Sequence, residues 1–321
     1  MSELQEQTSV AEPEANGSGT KKKNKKEKEK RPLWREILSW IFTLLGAVAA
    51  ALVIRSVIFE PVKVDGESML DTLHDHEIML VSKYDYSSTW LCLPWQSDNA
   101  SQQTARITFG NPQFLDVVIC RYPARGAWNF VKRVTGMPGD TVELREGYLY
   151  VNGEQAEKEK DLINPEYRVR QMSDGYTFEA YRVPKKGDSL TVSGSGSSLR
   201  FQLDGQDWDR KKTCVIARDE NGKQLKIWNR KADDSSRTGH QEQETVVVTW
   251  EGKDYTQKEW GEIIPVLSGK NFTMDEDYYF LMGDHRCNSN DSRNVGAVER
   301  SMIIGHVRRV VFPFSGWRGI R

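Results

Sequence analysis

Three short stretches bring together residue types that could make and break an acyl bond. In VDGESMLDTL, residues 64–73, Ser68 follows Gly66, whose missing side chain permits a tight turn that would present a hydroxyl. In FVKRVTGMPGD, residues 130–140, Lys132 alternates with apolar Phe130, Val131 and Val134 ahead of the turn MPGD. A lysine pointing into an apolar face loses hydration, which disfavours its charged form, and a neutral amine can take a proton from a serine hydroxyl. In GDHRCNSNDSR, residues 283–293, many hydrogen-bonding side chains share one loop and could orient that amine through hydroxyl and carboxylate contacts.

Each stretch also has a plainer meaning. Ser68 could be a turn serine, Lys132 and Arg133 a solvated strand edge, and 283–293 a calcium loop, although it lacks the glycine and terminal Glu of an EF-hand. DTLHDH, residues 71–76, sets His74 and His76 near Asp71 and Asp75, but a metal site needs more ligands, so a polar turn is the better account and neither metal nor cofactor is expected. Ser68 with one of the five histidines and a buried Asp is a formal alternative, because such triads are recognised by geometry. No HExxH, Walker loop or dinucleotide fingerprint competes.

The elements that must position these residues are legible in the pattern. Residues 1–31 are rich in Glu, Lys, Gly, Ser and Gln and cannot bury enough apolar surface to offset the entropy of ordering, which predicts a disordered tail. ILSWIFTLLGAVAAALVI, residues 37–54, carries no charge, and apolar character resumes after Arg55 at Val57, Ile58 and Phe59. Roughly 20 such residues cross a bilayer core of about 30 Å. A buried helix would show a polar stripe, and only Ser39 and Thr43 offer one; AVAAA, residues 47–51, has the small residues of a cleavage site, but the apolar run is long for a cleaved signal. A retained signal anchor over 32–59 fits best. The positive charges from Lys21 to Arg35 then keep the N-terminus in the cytoplasm and place the rest outside.

After Glu60 come short β-rich runs at 61–64, 77–84, 114–122, 130–136 and 141–153, bounded by Gly, Pro, Asp and Asn, which read as strands and hairpins. A polar stretch from about 154 to 271 contains further strand patterns, KQLKIW and TVVVTW, among flexible loops, and reads as an inserted subdomain. Strand patterns resume at DYYFLMG, residues 277–283, and end in SMIIGHVRRVVFPF. No long amphipathic helix is predicted beyond the anchor. The four cysteines are widely spaced and form no CxxC pair, so buried thiols are expected rather than a zinc site or a disulfide framework. A net charge of -1 argues against a nucleic-acid binder, whereas a basic block beside an apolar segment points to a membrane surface.

Taken in order, these segments resemble the type I signal peptidase family over roughly residues 32–153 and 275–314. Ser68-Met69 followed by Thr72-Leu73 looks like the nucleophile box, KRVTGMPGD like the lysine box, LDVVICRY like the strand box before it, and GDHRCNSNDSR like the last box. The resemblance implies a mainly β fold: an N-terminal transmembrane helix, an antiparallel β catalytic domain over 60–153 and 275–321, and a β-rich cap over 154–274. It implies a serine endopeptidase in which Ser68 is the nucleophile and Lys132 the general base, with the Ser68 backbone N–H receiving the oxyanion. Ser289 would hydrogen-bond the lysine amine, Asp291 and Arg293 would support the site through a salt bridge, and Asp284 would help to shape it. The implied partners are signal peptides of secreted pre-proteins with small residues at -1 and -3, membrane lipid and the secretion translocon. The alternative is a dedicated or inactive membrane-tethered paralogue that binds or scaffolds.

Several positions depart from the family pattern. Asp71 stands where Pro is usual, Leu115 where a Gly precedes the Asp of the strand box, His285 where Asn is usual, and Cys287 replaces a more polar residue. Gly66 supplies no hydroxyl, so a side-chain oxyanion donor present in some relatives is missing. STWLCLPW, residues 88–95, sets Trp90, Leu91, Leu93 and Trp95 close to the nucleophile box, where a headgroup-seeking loop could rest on the membrane.

Overall fold

The computed structural model of the 321-residue chain describes residues 33–54, 58–70, 72–89, 106–108, 110–121, 129–156, 177–195, 198–231 and 244–320. The expectations for the tail 1–31, for Arg55 and Val57, for Asp71 and for the tryptophan loop from Trp90 to Trp95 lie outside the described residues.

Leu33–Val53 forms a helix of 21 residues. Its segment Trp34–Leu52 has a mean hydropathy of 1.5 and none of it is buried, so it is long and apolar enough to cross a membrane. Thr43 Oγ1 returns its proton to Ser39 O at 2.8 Å, which satisfies the hydroxyl without an outside partner.

Residues 48–321 make a separate compact unit, and among the described residues its sheets are antiparallel. One sheet runs in the order Phe59–Lys63, Ile78–Ser82, Ile303–Phe312, Val117–Arg121, Asn129–Gly136, Tyr278–Met282, Val298–Glu299, with Arg318–Gly319 paired to the long C-terminal strand. The lysine-bearing strand Asn129–Gly136 is therefore interior: Val118 faces Lys132 on one side, and Met282 faces Arg133 on the other. The solvated edge considered for Lys132 and Arg133 is overturned by this pairing, and both side chains are buried, at 2% and 5% exposure.

A four-stranded sheet follows, Phe178–Arg182, Thr141–Arg145, Tyr148–Val151 and Glu154–Gln155, built on the hairpin turn Glu146-Gly147. The polar stretch forms most of a second large sheet, in the order Gln206–Asp207, Ser198–Leu203, Ser189–Ser195, Asn271–Met274, Val215–Arg218, Gln224–Lys231, Glu244–Trp250, Lys253–Tyr255. The helix Trp260–Leu267 closes over it, burying Trp260, Ile263, Ile264 and Leu267. This helix has eight residues and contains Pro265, too short for an amphipathic period to stand out. Tyr278, Phe280 and Met282 of the first sheet share one core with Leu190, Val215, Leu225, Trp250 and Phe272 of the second. Apolar burial of this kind is the main favourable term holding the two sheets together.

Candidate active site

The loop that carries Ser68 is closed at its base and plugged from below. Val64 N–H donates to Glu77 O at 2.8 Å and His76 N–H to Val64 O at 3.1 Å, so residues 64–77 leave and re-enter the sheet at one point. Gly66 takes φ +97°, a left-handed conformation costly for any other residue, and its N–H caps Asp75 Oδ1 at 3.1 Å. A helical turn then follows, with Leu70 N–H bonded to Glu67 O and Leu73 N–H to Met69 O. Met69 and Leu73 are buried among Val64, Met79, Val117, Ile119 and Val307, which anchors the turn while Ser68 stays partly exposed.

Lys132 reaches that serine from the strand. Its Nζ donates to Ser68 Oγ at 2.8 Å and to Val131 O at 2.9 Å, and it lies 5.9 Å from the centre of the Phe130 ring. The hydroxyl and the amine are 64 residues apart in sequence, and the sheet alone brings them together.

The loop after Tyr278–Met282 supplies the surroundings. Asp291 is fully buried and caps the short helix Ser292–Val295. Its carboxylate accepts Arg293 Nε at 2.8 Å, Arg293 Nη2 at 2.9 Å and Gly283 N–H at 3.0 Å. Burial pushes this carboxyl up, but the Arg293 guanidinium and the Gly283 N–H outweigh it, and it sits below the ordinary carboxylate range. Arg293 also ties the loop to itself through Arg286 O at 2.7 Å.

Asp284 faces Arg133. Arg133 Nε and Nη2 hold the two Asp284 oxygens at 2.8 and 2.7 Å, a bidentate pair, while Nη1 reaches Leu115 O at 2.8 Å and Thr72 Oγ1 donates to Asp284. Burial opposes ionisation here too, and Arg133 with Thr72 overcomes it, so the Asp284 carboxyl is held low. Arg133 and Thr72 did not stand out in the sequence, because their partners lie 151 and 212 residues away. The strand alternation that turns Lys132 to one face turns Arg133 to the other, and that was the one available signal.

Ser289 Oγ is buried, but the expected hydrogen bond to the lysine amine is not formed. The hydroxyl instead lies over Gly283: a Cβ on that glycine would fall 2.2 Å from Ser289 Oγ and 2.5 Å from Ser68 O.

A buried amine on a serine hydroxyl is the arrangement expected of a Ser-Lys hydrolase. The sequence pattern described as Signal peptidase, peptidase S26, matches residues 37–312. The chain belongs to this family. A signal peptidase I of Pseudomonas aeruginosa is 39% identical over 126 residues, which are 39% of this chain and 40% of the relative. A signal peptidase I of Bacillus amyloliquefaciens is 31% identical over 170 residues, 53% of this chain and 77% of the relative. The chain therefore spans well under two thirds of the first of these signal peptidases and about three quarters of the second. A solved signal peptidase I of Enterococcus faecalis V583 aligns with 62% of this chain and 98% of its own at 20% identity, with a TM-score of 0.26.

Among the described residues no group of His, Cys, Asp or Glu is arranged to hold a metal ion. His74 and His76 turn to neighbouring carboxylates, Glu77 at 3.6 Å and Asp75 at 3.4 Å. Cys120 and Cys214 are buried, as expected of core cysteines, whereas Cys287 in the last box is exposed.

Proposed function

We infer that this chain is a type I signal peptidase, a membrane-anchored serine endopeptidase that removes N-terminal signal peptides from secreted pre-proteins after small residues in an Ala-x-Ala pattern. The 2.8 Å contact between Lys132 Nζ and Ser68 Oγ carries this reading. Water is excluded from the amine, the condition under which lysine nitrogen takes a proton from a neighbouring hydroxyl. Ser68 Oγ attacks the scissile carbonyl as its proton passes to Lys132. The tetrahedral oxyanion is met by the Ser68 N–H, and its collapse expels the new amino terminus, which takes the proton from Lys132. Lys132 then removes a proton from water, the resulting hydroxide cleaves the Ser68 ester to release the signal peptide, and Lys132 returns that proton to Ser68 Oγ. Asp291–Arg293 and Asp284–Arg133 fix the loop and the strand between which this occurs.

Substrate binding is supported by the sheet margin. Phe59–Lys63 is one edge strand of the first sheet and runs straight into the loop that carries Ser68, so an extended peptide added alongside would bring its carbonyl to Ser68. Residues 154–274 act as a cap between the lysine strand and the last box. The basic segment before the helix keeps the N-terminus in the cytoplasm, and the catalytic unit faces the other side, beside the translocon. Exposed Phe312, Phe314 and Trp317 suit contact with lipid headgroups.

The test is cleavage of a synthetic peptide with an Ala-x-Ala site by the detergent-solubilised protein. We expect a cut after the second Ala that falls by at least about 1,000-fold in both Ser68→Ala and Lys132→Met. A well-folded wild type that cuts no signal sequence in lipid, or cleavage that survives Ser68→Ala, would overturn it.

A further inference from the structure

The peptide unit preceding Ser68 is gripped from outside the nucleophile loop. His285 Nδ1 lies 3.1 Å from Glu67 O, and since a carbonyl can only accept, the proton of this hydrogen bond sits on Nδ1. Leu70 N–H reaches the same oxygen at 3.1 Å, so both of its lone pairs are engaged. One residue on, the His285 N–H donates to Ser68 O at 3.1 Å. The two backbones can come this close because Gly283 has no Cβ to strike Ser68 O.

The Glu67–Ser68 peptide bond is trans and planar. Fixing the direction of the Glu67 carbonyl therefore fixes the opposite direction of the Ser68 N–H, which donates to no group among the described residues. A carbonyl that accepts two hydrogen bonds also polarises its amide, which makes the N–H of the same peptide a stronger donor.

We propose that His285 is a positioning residue of the reaction: its ring acts through Glu67 O to aim and strengthen the Ser68 N–H at the place where the oxyanion develops. This rests on the signal peptidase reading. The aim matters because such a donor is effective only within a narrow distance of the charge that forms, and loss of one donor costs on the order of 100-fold in kcat. The cost of a misdirected donor falls between that and nothing.

The test compares full-length protein in detergent micelles as wild type, His285→Asn and His285→Phe. Asn carries its amide nitrogen on Cγ, where the imidazole carries Nδ1, and so keeps the donor; Phe keeps the ring and loses it. We expect His285→Phe to lower kcat by roughly 10-fold or more with KM nearly unchanged, and His285→Asn to stay within about threefold of wild type. The backbone amide proton of Ser68, followed by NMR, is expected to move upfield in His285→Phe and to hold its position in His285→Asn. Should the Phe variant not fold, His285→Ser, too short to reach Glu67 O, carries the same expectation. A donorless variant with wild-type kcat and an unmoved Ser68 amide would overturn the proposal. If the wild type cleaves no signal peptide, the functional reading fails instead, and the Ser68 amide resonance alone then decides whether His285 sets this N–H.

Discussion

At the scale of single residues, the site depends on charges that water does not reach. Arg133 and Asp284 are both largely buried and form a bidentate pair that Thr72 and Leu115 O complete. Removing one partner of a buried pair strands the other, at a cost of about 3–5 kcal/mol, whereas removing both leaves no uncompensated charge. We therefore expect Arg133→Met and Asp284→Asn each to lose about that much unfolding free energy in urea, and the double variant to lose clearly less than their sum; additive losses would contradict the pairing. The candidate site residues were singled out in the sequence: Ser68 and Lys132 as the reacting pair, with Asp284, Ser289, Asp291 and Arg293 as support. Arg133 was not, because its role follows from a partner on another strand. Ser289 was expected to hydrogen-bond the lysine amine, but its hydroxyl lies over Gly283 instead, and the close approach of Gly283 to Ser68 is a backbone fact that side-chain types do not announce.

At the scale of elements, the strand patterns predicted from alternation correspond closely to Ile78–Ser82, Val117–Arg121, Asn129–Gly136 and Tyr278–Met282. Their order in the sheet was not legible. Ile303–Phe312 inserts between Ile78–Ser82 and Val117–Arg121, a long-range pairing that no local pattern encodes. The entrance to Val117–Arg121 shows what one departure from the family pattern does. Leu115, which stands where Gly is usual, takes φ +72°, and its backbone bonds Val134 O through N–H and accepts Arg133 through C=O. A leucine in that conformation costs about 1–2 kcal/mol, retained because four hydrogen-bonding groups fix the turn. Leu115→Gly is expected to raise stability by roughly 0.5–1 kcal/mol after the larger entropy of the unfolded glycine chain is counted. The denaturant midpoint at constant slope measures it, and a midpoint below wild type would refute the strain.

At the scale of the whole molecule, one titration reports on the junction of the two large sheets. Glu299 pairs with Tyr278 and is fully enclosed; burial, reinforced by the charge of Glu276, pushes its carboxyl up to about 7. Its folded value lies above the unfolded one, so its contribution to stability is full below the ordinary carboxylate range and is lost as pH rises through about 7. Asp284 and Asp291 have lowered values and act in the opposite sense, their contribution present above about pH 4 and lost in acid. The thermal midpoint is thus expected to peak near about pH 4 to 5 and to decline toward pH 7, with Glu299→Gln removing that decline. A variant that declines as steeply as wild type would show that Glu299 is not its source. The strand patterns in residues 154–271 read as an inserted subdomain among flexible loops, but the common core of the two sheets was not visible there; the described part is a sheet buried on Trp260, Ile263 and Leu267.

The account turns on Ser68 forming a covalent ester under the action of Lys132, and the direct measurement is its capture. The full-length protein is mixed in detergent with an Ala-x-Ala signal peptide, quenched in acid within a turnover, digested with trypsin and analysed by mass spectrometry. The predicted result is the signal-peptide fragment esterified to Ser68 in the tryptic peptide 64–83, absent from Ser68→Ala and Lys132→Met. A fragment attached to any other residue, or one that still forms on Ser68 when Lys132 is Met, would contradict it.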